Sequence, residues 1–140
     1  MMKIFLYLVF LFWLPSCLAQ TVTSTQLTNT KWKLIKPYFS YSDKTLSFSK
    51  TSVSFSSYYK DLKKTKTSND RYYISNKIEK TFNGNNVGIC GSGKYIVEEI
   101  NNRAYCFQIL SFTSQELKII LIPSKTLIGR PDTLVWKRIK

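Results

Sequence analysis

The chain has 140 residues with 21 Lys or Arg, 8 Asp or Glu and no His, which gives a formal net charge of +13. This length favours one domain with a single core, and the positive charge favours anionic partners. Without histidine, a Ser-His-Asp or Cys-His catalytic site is excluded, and the scattered cysteines and carboxylates do not form a cluster of metal ligands. A Ser–Lys pair is still conceivable, but none stands out, so we expect a non-catalytic protein without metal or cofactor.

Residues 1–19 have the three parts of a secretory signal. Lys3 supplies the charge, the run from Ile4 to Leu14 is apolar, and small residues precede Gln20. The apolar run is too short for a membrane-spanning anchor. We therefore expect cleavage after Ala19 and export of a single domain, residues 20–140, to the periplasm or the medium.

A second processing site overlaps this signal. The residues Leu14-Pro15-Ser16-Cys17 resemble a bacterial lipobox, in which the cysteine is acylated. In that case Cys17 would carry a lipid and hold the domain on a membrane surface. No later stretch approaches the roughly eighteen apolar residues of a transmembrane helix, so we expect none in the mature chain.

Downstream of Gln20 the chain shows the period-two alternation of half-buried strands. Apolar residues alternate with serines in residues 45–57, which predicts a hairpin. A short helical turn is expected at residues 24–29, before a first strand around Trp32. Further strands are predicted at residues 71–76, 77–82, 94–100, 103–112, 116–122 and 133–139.

Turn-forming residues separate these strands, and Asn101-Asn102 suits a tight two-residue turn because asparagine tolerates positive φ. Eight or nine short strands without a long helix indicate an all-β protein. It is either an antiparallel up-and-down barrel of about eight strands or a β-sandwich. A barrel closes by pairing its first and last strands, so we expect Trp32 and Trp136 to pack near one another there.

Several short motifs resemble those of the small exported lipocalin-like domains of bacteria. They are Lys31-Trp32-Lys33-Leu34, Thr45-Leu46-Ser47-Phe48, Ser52-Val53-Ser54-Phe55, Tyr72-Tyr73-Ile74, Lys94-Tyr95-Ile96-Val97, Phe107-Gln108-Ile109-Leu110-Ser111-Phe112 with Leu117, and Leu134-Val135-Trp136-Lys137-Arg138. The resemblance spans nearly the whole chain after the signal. It implies an eight-stranded up-and-down barrel with a central cavity for an apolar ligand.

Strand parity indicates which side chains line such a cavity. We expect a small apolar or amphipathic ligand in an interior lined by Trp32, Phe48, Phe55, Tyr73 and Phe107. Alternatively, side chains fill the interior, and a basic, aromatic outer surface binds an anionic polymer, an anionic surface or a protein. The lysine-rich segment 60–66 is expected to be a solvated loop.

Two features lie in residues 88–106. The segment Gly88-Ile89-Cys90-Gly91-Ser92-Gly93-Lys94 fits the phosphate-binding pattern G-x-x-x-x-G-K, but Tyr95 replaces the hydroxyl residue that binds magnesium. The residues after it favour a strand, so we expect a flexible glycine-rich connection. Export would allow Cys90 and Cys106 to form a disulfide, and two separate thiols are the alternative.

Overall fold

The computed structural model describes residues 20–124 and 131–140, and most of them form a closed antiparallel barrel. The barrel strands follow the order β10, β2, β3, β4, β5, β7, β8, β9, while β1 and β6 form a separate pair. In chain order the elements are β1 (Val22–Thr23), α1 (Ser24–Leu27), β2 (Thr30–Lys36), β3 (Ser42–Phe48), β4 (Ser52–Tyr59), β5 (Lys64–Ser75), a 3-10 turn (Gly84–Asn86), β6 (Ser92–Gly93), β7 (Tyr95–Ile100), β8 (Arg103–Phe112), β9 (Glu116–Leu121) and β10 (Thr133–Ile139).

The barrel strands are connected up and down. Each pairs with its neighbour in the chain, and residues 76–94, which include β6, connect β5 to β7. The first and last barrel strands, β2 and β10, pair with each other and close the sheet. The predicted up-and-down barrel is therefore confirmed, and the sandwich alternative is wrong.

One end of the barrel, called the helix end below, carries β1 and α1. The Thr23 hydroxyl accepts a hydrogen bond from the Gln26 N–H, and the Gln26 side chain accepts one from the Thr23 N–H at 2.8 Å. This reciprocal capping box stabilises a helix of only four residues. As a result, Val22 and Leu27 are fully buried in the main core.

The main core fills the helix end of the barrel interior, where inward-facing residues of all eight strands meet the residues before β2. Because side chains alternate along a strand, only every second residue of each strand belongs to it. Its buried members are Val22, Leu27, Trp32, Leu46, Phe48, Val53, Tyr72, Ile74, Ile96, Ile109, Leu117, Ile119 and Trp136.

Trp32 and Trp136 lie on the paired terminal strands, and both are buried in the main core. Their registers differ, because Trp32 stands opposite Arg138 and Trp136 stands opposite Leu34. The Trp32 ring meets Phe112 edge to face, with 5.9 Å between centroids. Its Nε1–H donates to the Thr30 hydroxyl at 2.8 Å. The two tryptophans therefore support neighbouring parts of one core.

A second, smaller cluster lies on the outer face of the sheet. It consists of Tyr73, Val97 and Cys106, covered by Phe82 and Val87 of the long connection after β5. Tyr73 is therefore not part of the barrel interior, which corrects the prediction made for it. Side chains alternate between the two faces of a strand, and the neighbouring Tyr72 on β5 points inward and packs against Phe48. Tyr73 therefore points outward.

The strand predicted at residues 77–82 is also wrong. This segment is irregular and runs over the second cluster instead of joining a sheet. Phe82 packs against Tyr73, with ring centroids 5.1 Å apart, whereas Ile78 is 51% exposed. Of the two apolar residues that suggest a strand, Phe82 covers the outer face of the sheet and Ile78 is exposed.

The opposite end of the barrel, called the fissure end, is less regular because two strand pairs separate there. The ladder between β2 and β3 runs only from Thr30–Phe48 to Lys33–Thr45. The ladder between β5 and β7 involves only the last four residues of β5, Tyr72 to Ser75, so residues 64–70 pair with β4 alone. β5 thus begins earlier than residue 71, and residues 64–66 of the lysine-rich segment 60–66 are strand, not loop.

The predicted turn at Asn101-Asn102 is confirmed, and both residues have positive φ, 51° and 61°. The helical turn expected at residues 24–29 is α1. No helix of the described residues is long and apolar enough to cross a membrane. The signal at residues 1–19 and the alternative lipid site Cys17 lie outside the described residues.

Candidate ligand-binding site

A fissure opens in the barrel wall between the ends of β2 and β3. Beyond Lys33, β2 continues to pair with β10, and before Thr45, β3 pairs with β4, so residues 34–36 and 42–44 have no ladder between them. Residues 37–41 bridge the gap. The resulting cavity has a volume of about 310 Å³ and is lined by Lys33, Leu34, Ile35, Pro37, Tyr38, Phe39, Ser42, Asp43, Lys44 and Lys60.

Because side chains alternate, the fissure exposes residues of both faces of the sheet. Ser42 and Lys44 precede the core residue Leu46 by four and two residues on β3, so they face the barrel interior, and Leu34 does so two residues after Trp32 on β2. Lys33 and Asp43 have the opposite parity. The fissure is thus a passage from the outer surface toward the interior.

Ser42 lies in this fissure and is only 3% exposed. Its hydroxyl oxygen is buried and has no hydrogen-bond partner among the described residues. An unpaired hydroxyl in such a place costs about 1–3 kcal/mol, and native proteins pair nearly all such groups. Ser42 therefore brings an unpaired polar group to the wall of the cavity.

Lys44 projects its ammonium group between two aromatic rings. Its Nζ lies 4.9 Å from the Phe39 ring centroid, 5.4 Å from the Phe55 centroid and 3.4 Å from the Ser57 hydroxyl oxygen. No carboxylate of the described residues forms an ion pair with it. The half-buried Lys44 ammonium group is thus partly stabilised by the faces of two aromatic rings. It has no carboxylate partner among the described residues.

The one carboxylate that lines the fissure is already engaged. Asp43 Oδ1 lies 3.2 Å from Lys33 Nζ and 3.8 Å from Lys60 Nζ, on the outer side of the sheet. The two outer lysines therefore share the charge of Asp43. Of the three lysines that line the cavity, Lys44 is the one without an ion-pair partner among the described residues.

A row of aromatic residues leads from the fissure into the core. Phe55, which faces Lys44, also meets Trp136 edge to face, with 6.3 Å between centroids. Trp136 is 2% exposed, and its indole Nε1–H has no acceptor among the described residues. An indole nitrogen can only donate, so Trp136 contributes a second unpaired polar group in addition to the Ser42 hydroxyl.

No family model, curated protein or solved structure matches the chain.

Most of the ligand-binding residues predicted from the sequence lie in the barrel interior, but few of them lie at the fissure. Trp32, Phe48, Phe55 and Phe107 belong to the main core or pack against it, and Tyr73 does not. Only Phe55 contacts the fissure directly, through Lys44. The predicted set therefore describes the barrel interior, and the polar residues of the fissure are missing from it.

An acidic residue also faces the interior. Glu98 lies opposite Tyr72 on β5 and Tyr105 on β8, and it is only 8% exposed. Burial raises the pKa of Glu98 to about 8, and the neighbouring carboxylate of Asp70 contributes in the same direction. Glu98 is therefore mostly protonated near neutral pH and adds little negative charge to the interior.

The two cysteines proposed for a disulfide are both free in the structure, which corrects that prediction. Cys106 is buried in the second cluster, where its sulfur lies 3.2 Å from both the Glu79 N–H nitrogen and the Glu79 carbonyl oxygen. Cys90 is exposed and lines a groove of about 230 Å³ beside α1. Glu79 in the long connection after β5 therefore hydrogen-bonds to the Cys106 thiol. Cys90 belongs to the same connection and is exposed at the helix end.

The segment resembling a phosphate-binding loop forms no such loop. Ser92–Gly93 is the short strand β6, and β7 begins two residues later at Tyr95, so a strand follows this segment where a phosphate-binding loop leads into a helix. The strand expected after the glycines is confirmed. Gly93 sits so close to the end of β5 that an added Cβ would lie 2.0 Å from the Ser75 carbonyl oxygen.

Proposed function

We propose that this chain is a non-catalytic binding protein that holds a small amphipathic ligand, with the fissure between β2 and β3 as the site where the ligand enters the barrel. The observation that carries the proposal concerns Ser42, a residue that lines the cavity and whose buried hydroxyl has no partner among the described residues. A ligand oxygen placed there would satisfy it and would offset the cost of burying it.

The walls of the cavity support a ligand with an apolar part. Leu34, Pro37 and Phe39 line it, and Phe55 and Trp136 continue the apolar surface inward. Small-molecule sites typically combine such walls with a few polar groups that fix orientation. Ser42 and Lys44 supply those groups at the fissure.

We also propose that the domain is a lipocalin-like protein that acts outside the cytoplasm. A closed barrel of eight antiparallel strands in up-and-down order supports the first part, since barrels of this size can hold one small ligand. The three-part signal in residues 1–19 supports the second.

A fluorescence titration tests the binding function. Protein purified after expression of the full chain is titrated with N-phenyl-1-naphthylamine, an uncharged dye that brightens in apolar sites, and we expect saturable binding. Leu34→Trp places a larger side chain in the fissure and should weaken binding at least tenfold. Leu62→Trp, a similar substitution at a residue that is 66% exposed, is the matched control and should bind normally.

Non-saturable or absent dye binding by folded wild-type protein would count against the proposal. Equal binding by the two tryptophan variants would place the site elsewhere in the barrel. Far-UV circular dichroism of each variant shows whether the barrel is intact, so a folding defect is separated from a blocked site.

A second candidate function is binding of an anionic polymer on the outer surface. Tyr38, Tyr41 and Tyr58 are 74%, 51% and 41% exposed near the lysines of the fissure end, an arrangement that suits stacking and charge attraction. Binding of single-stranded DNA or heparin that weakens steeply with salt, with no binding of the dye, would favour this alternative.

A further inference from the structure

We infer that the fissure binds a monoanionic head group, a carboxylate, between the Lys44 ammonium group and the Ser42 hydroxyl, with the apolar part of the ligand directed toward Phe55 and Trp136. The inference rests on the proposed function and adds the chemical class of the ligand. It begins from the unused hydrogen-bonding groups of the site.

The polar groups available to a ligand are donors. Lys44 can only donate, and the Ser42 hydroxyl, which has no partner among the described residues, can donate as well. A ligand that matches them must present acceptor oxygens. A carboxylate has two such oxygens and no hydrogen to place, which distinguishes it from an alcohol or an amine.

The spacing of the two residues allows one group to reach both. Ser42 and Lys44 are two residues apart on β3, so their side chains leave the same face of the strand at roughly 7 Å along it. The flexible stem of Lys44 can close much of that distance. A head group between them would be held from two sides.

The charges at the fissure favour a single negative charge. Three ammonium groups and one carboxylate line the cavity, and the carboxylate of Asp43 is shared by Lys33 and Lys60 on the outer side. Lys44 is the ammonium group without an ion-pair partner among the described residues. The net charge of these lining residues is therefore +2, of which the group formed by Lys33, Lys60 and Asp43 carries +1 on the outer side and Lys44 carries +1 on the inner side. A head group held on the inner side meets the single charge of Lys44, which a carboxylate neutralises.

The surroundings of Lys44 strengthen its interaction with an anion. The ammonium group is half-buried beside Phe39 and Phe55, where water is partly excluded and the effective dielectric constant is lower than in bulk solvent. The acidic residues of the interior, Asp70 on β5 and Glu98 on β7, form no ion pair with it. A bound carboxylate would be the group that neutralises it.

Three ligands with the same tail test the head-group class. Dodecanoate, dodecanol and dodecyl phosphate are titrated by displacement of the bound dye, each below its micelle concentration, against the wild-type protein. We expect dodecanoate to bind at least tenfold more tightly than dodecanol. Dodecyl phosphate should bind no more tightly than dodecanoate.

Variants then assign the effect to named residues. Lys44→Met keeps the apolar stem, removes the charge and should reduce dodecanoate affinity to that of dodecanol without changing dodecanol affinity. Lys44→Arg should retain most of the preference, and Ser42→Ala should lose a fewfold part of it. Lys31→Met makes the same change of net charge at an exposed β2 residue outside the fissure and should leave all three affinities unchanged.

The outcomes separate the two proposals. Equal affinities for dodecanoate and dodecanol, unaffected by Lys44→Met, would overturn the carboxylate assignment while leaving a working apolar site. Tighter binding of dodecyl phosphate would overturn the monoanion in favour of a dianion. If neither the dye nor any of the three ligands binds to folded protein, the proposed function itself fails.

Discussion

At the helix end of the barrel the inward side chains are apolar and nearly inaccessible, with Trp32, Leu27 and Val22 at 0% exposure. At the fissure end the inward positions hold Lys44, Ser57, Asp70 and Glu98, and two of the strand pairs separate. The same eight strands therefore build two different interiors. At the helix end the Trp32 indole N–H is bonded to the Thr30 hydroxyl, whereas the Ser42 hydroxyl at the fissure end has no partner among the described residues.

This difference indicates a division of roles along the barrel axis. Burial of apolar surface is the main source of folding free energy, so the helix end should supply most of the stability. Unpaired polar groups and half-buried charges destabilise a fold, and they are retained mainly where they bind something. The fissure end is the part of the barrel in which changes should alter binding more than stability.

The most direct test of this division of roles is to truncate one aromatic side chain at each end of the barrel. Trp32→Ala at the helix end removes a fully buried ring that contacts Phe112 and bonds Thr30, and we expect a loss of about 3–5 kcal/mol. Phe39→Ala at the fissure should cost only about 1 kcal/mol because the ring is half-buried. Urea denaturation measures both.

A loss at Phe39 as large as the loss at Trp32 would show that both ends stabilise the fold equally. Dye titration of the same two proteins completes the comparison. Phe39→Ala should weaken binding although it barely changes stability, and that combination is what a division of roles requires.

A second comparison uses two glycines. An added Cβ at Gly93, at the helix end, would lie 2.0 Å from the Ser75 carbonyl oxygen and 2.7 Å from the Asn76 nitrogen, so the backbone would have to shift. We expect Gly93→Ala to cost about 2–3 kcal/mol, in the range of overpacked cores. Gly84→Ala is the control, since its nearest neighbour is the Arg71 guanidinium at 3.4 Å, the end of a flexible side chain.

Thermal denaturation of the two alanine variants gives the result directly. We expect a clear drop in melting temperature for Gly93→Ala and a change close to zero for Gly84→Ala. Similar melting temperatures for both would mean that the end of β5 can move aside, and that the helix end is less tightly packed than the contact at Ser75 indicates.

The pH dependence of stability tests the ionisable interior. The pKa of Glu98 is raised in the folded protein to about 8 from an ordinary value near 4.5, so its contribution to stability is fully present below about pH 4.5. That contribution is lost as the pH rises toward 8, at a rate on the order of 1 kcal/mol per pH unit. Urea denaturation at several pH values between 5 and 8 measures the slope.

Glu98→Gln removes the titrating group and keeps the shape of the side chain, so stability should vary less with pH in this variant. The two proteins should differ most near pH 8, where the variant is the more stable one. Parallel profiles would show that Glu98 ionises normally and that this part of the interior is open to water.

The smallest effect is expected at the junction where β5 and β7 separate. Arg71 Nε donates to Glu99 Oε2 at 2.7 Å, and the pair lies on the outer face just beyond the last paired residues, Tyr72 and Glu98. Because the Arg71 side chain is 57% exposed, we expect a coupling of about 0.5 kcal/mol.

A double-mutant cycle of Arg71→Met and Glu99→Gln measures that coupling. We expect it to decrease at high salt, as for other exposed ion pairs. A coupling free energy above about 2 kcal/mol would instead show that this ion pair stabilises the fissure end as strongly as a buried contact stabilises the helix end.

The fold was predictable where one face of each strand is apolar. The strands at residues 103–112 and 133–139 have the predicted bounds because apolar and polar residues alternate through them. Residues 64–70 contain no apolar residue, so they carry no such pattern, although they form the first half of β5. Residues 77–82 resemble a strand in sequence, but Phe82 is apolar because it covers an outer cluster, and Ile78 is exposed.

The site was less predictable because it depends on where a ladder ends. Parity along β3 places Ser42 and Lys44 on the same face as Leu46, a signal that is present in the sequence. However, the sequence does not indicate that β2 and β3 separate beyond Lys33, which is a property of the whole barrel. Without that separation, a serine and a lysine beside a proline-containing loop have the composition of an ordinary turn.

The edge of β5 at residues 64–70 has a consequence for the behaviour of the protein in solution. Its backbone N–H and C=O groups on the side away from β4 have no strand partner among the described residues, and such an edge can pair with the same edge of another molecule. Lys64 and Lys66 lie on this edge, and two copies would bring four like charges together. Charge repulsion therefore opposes self-association, and the protein should stay monomeric best at low ionic strength.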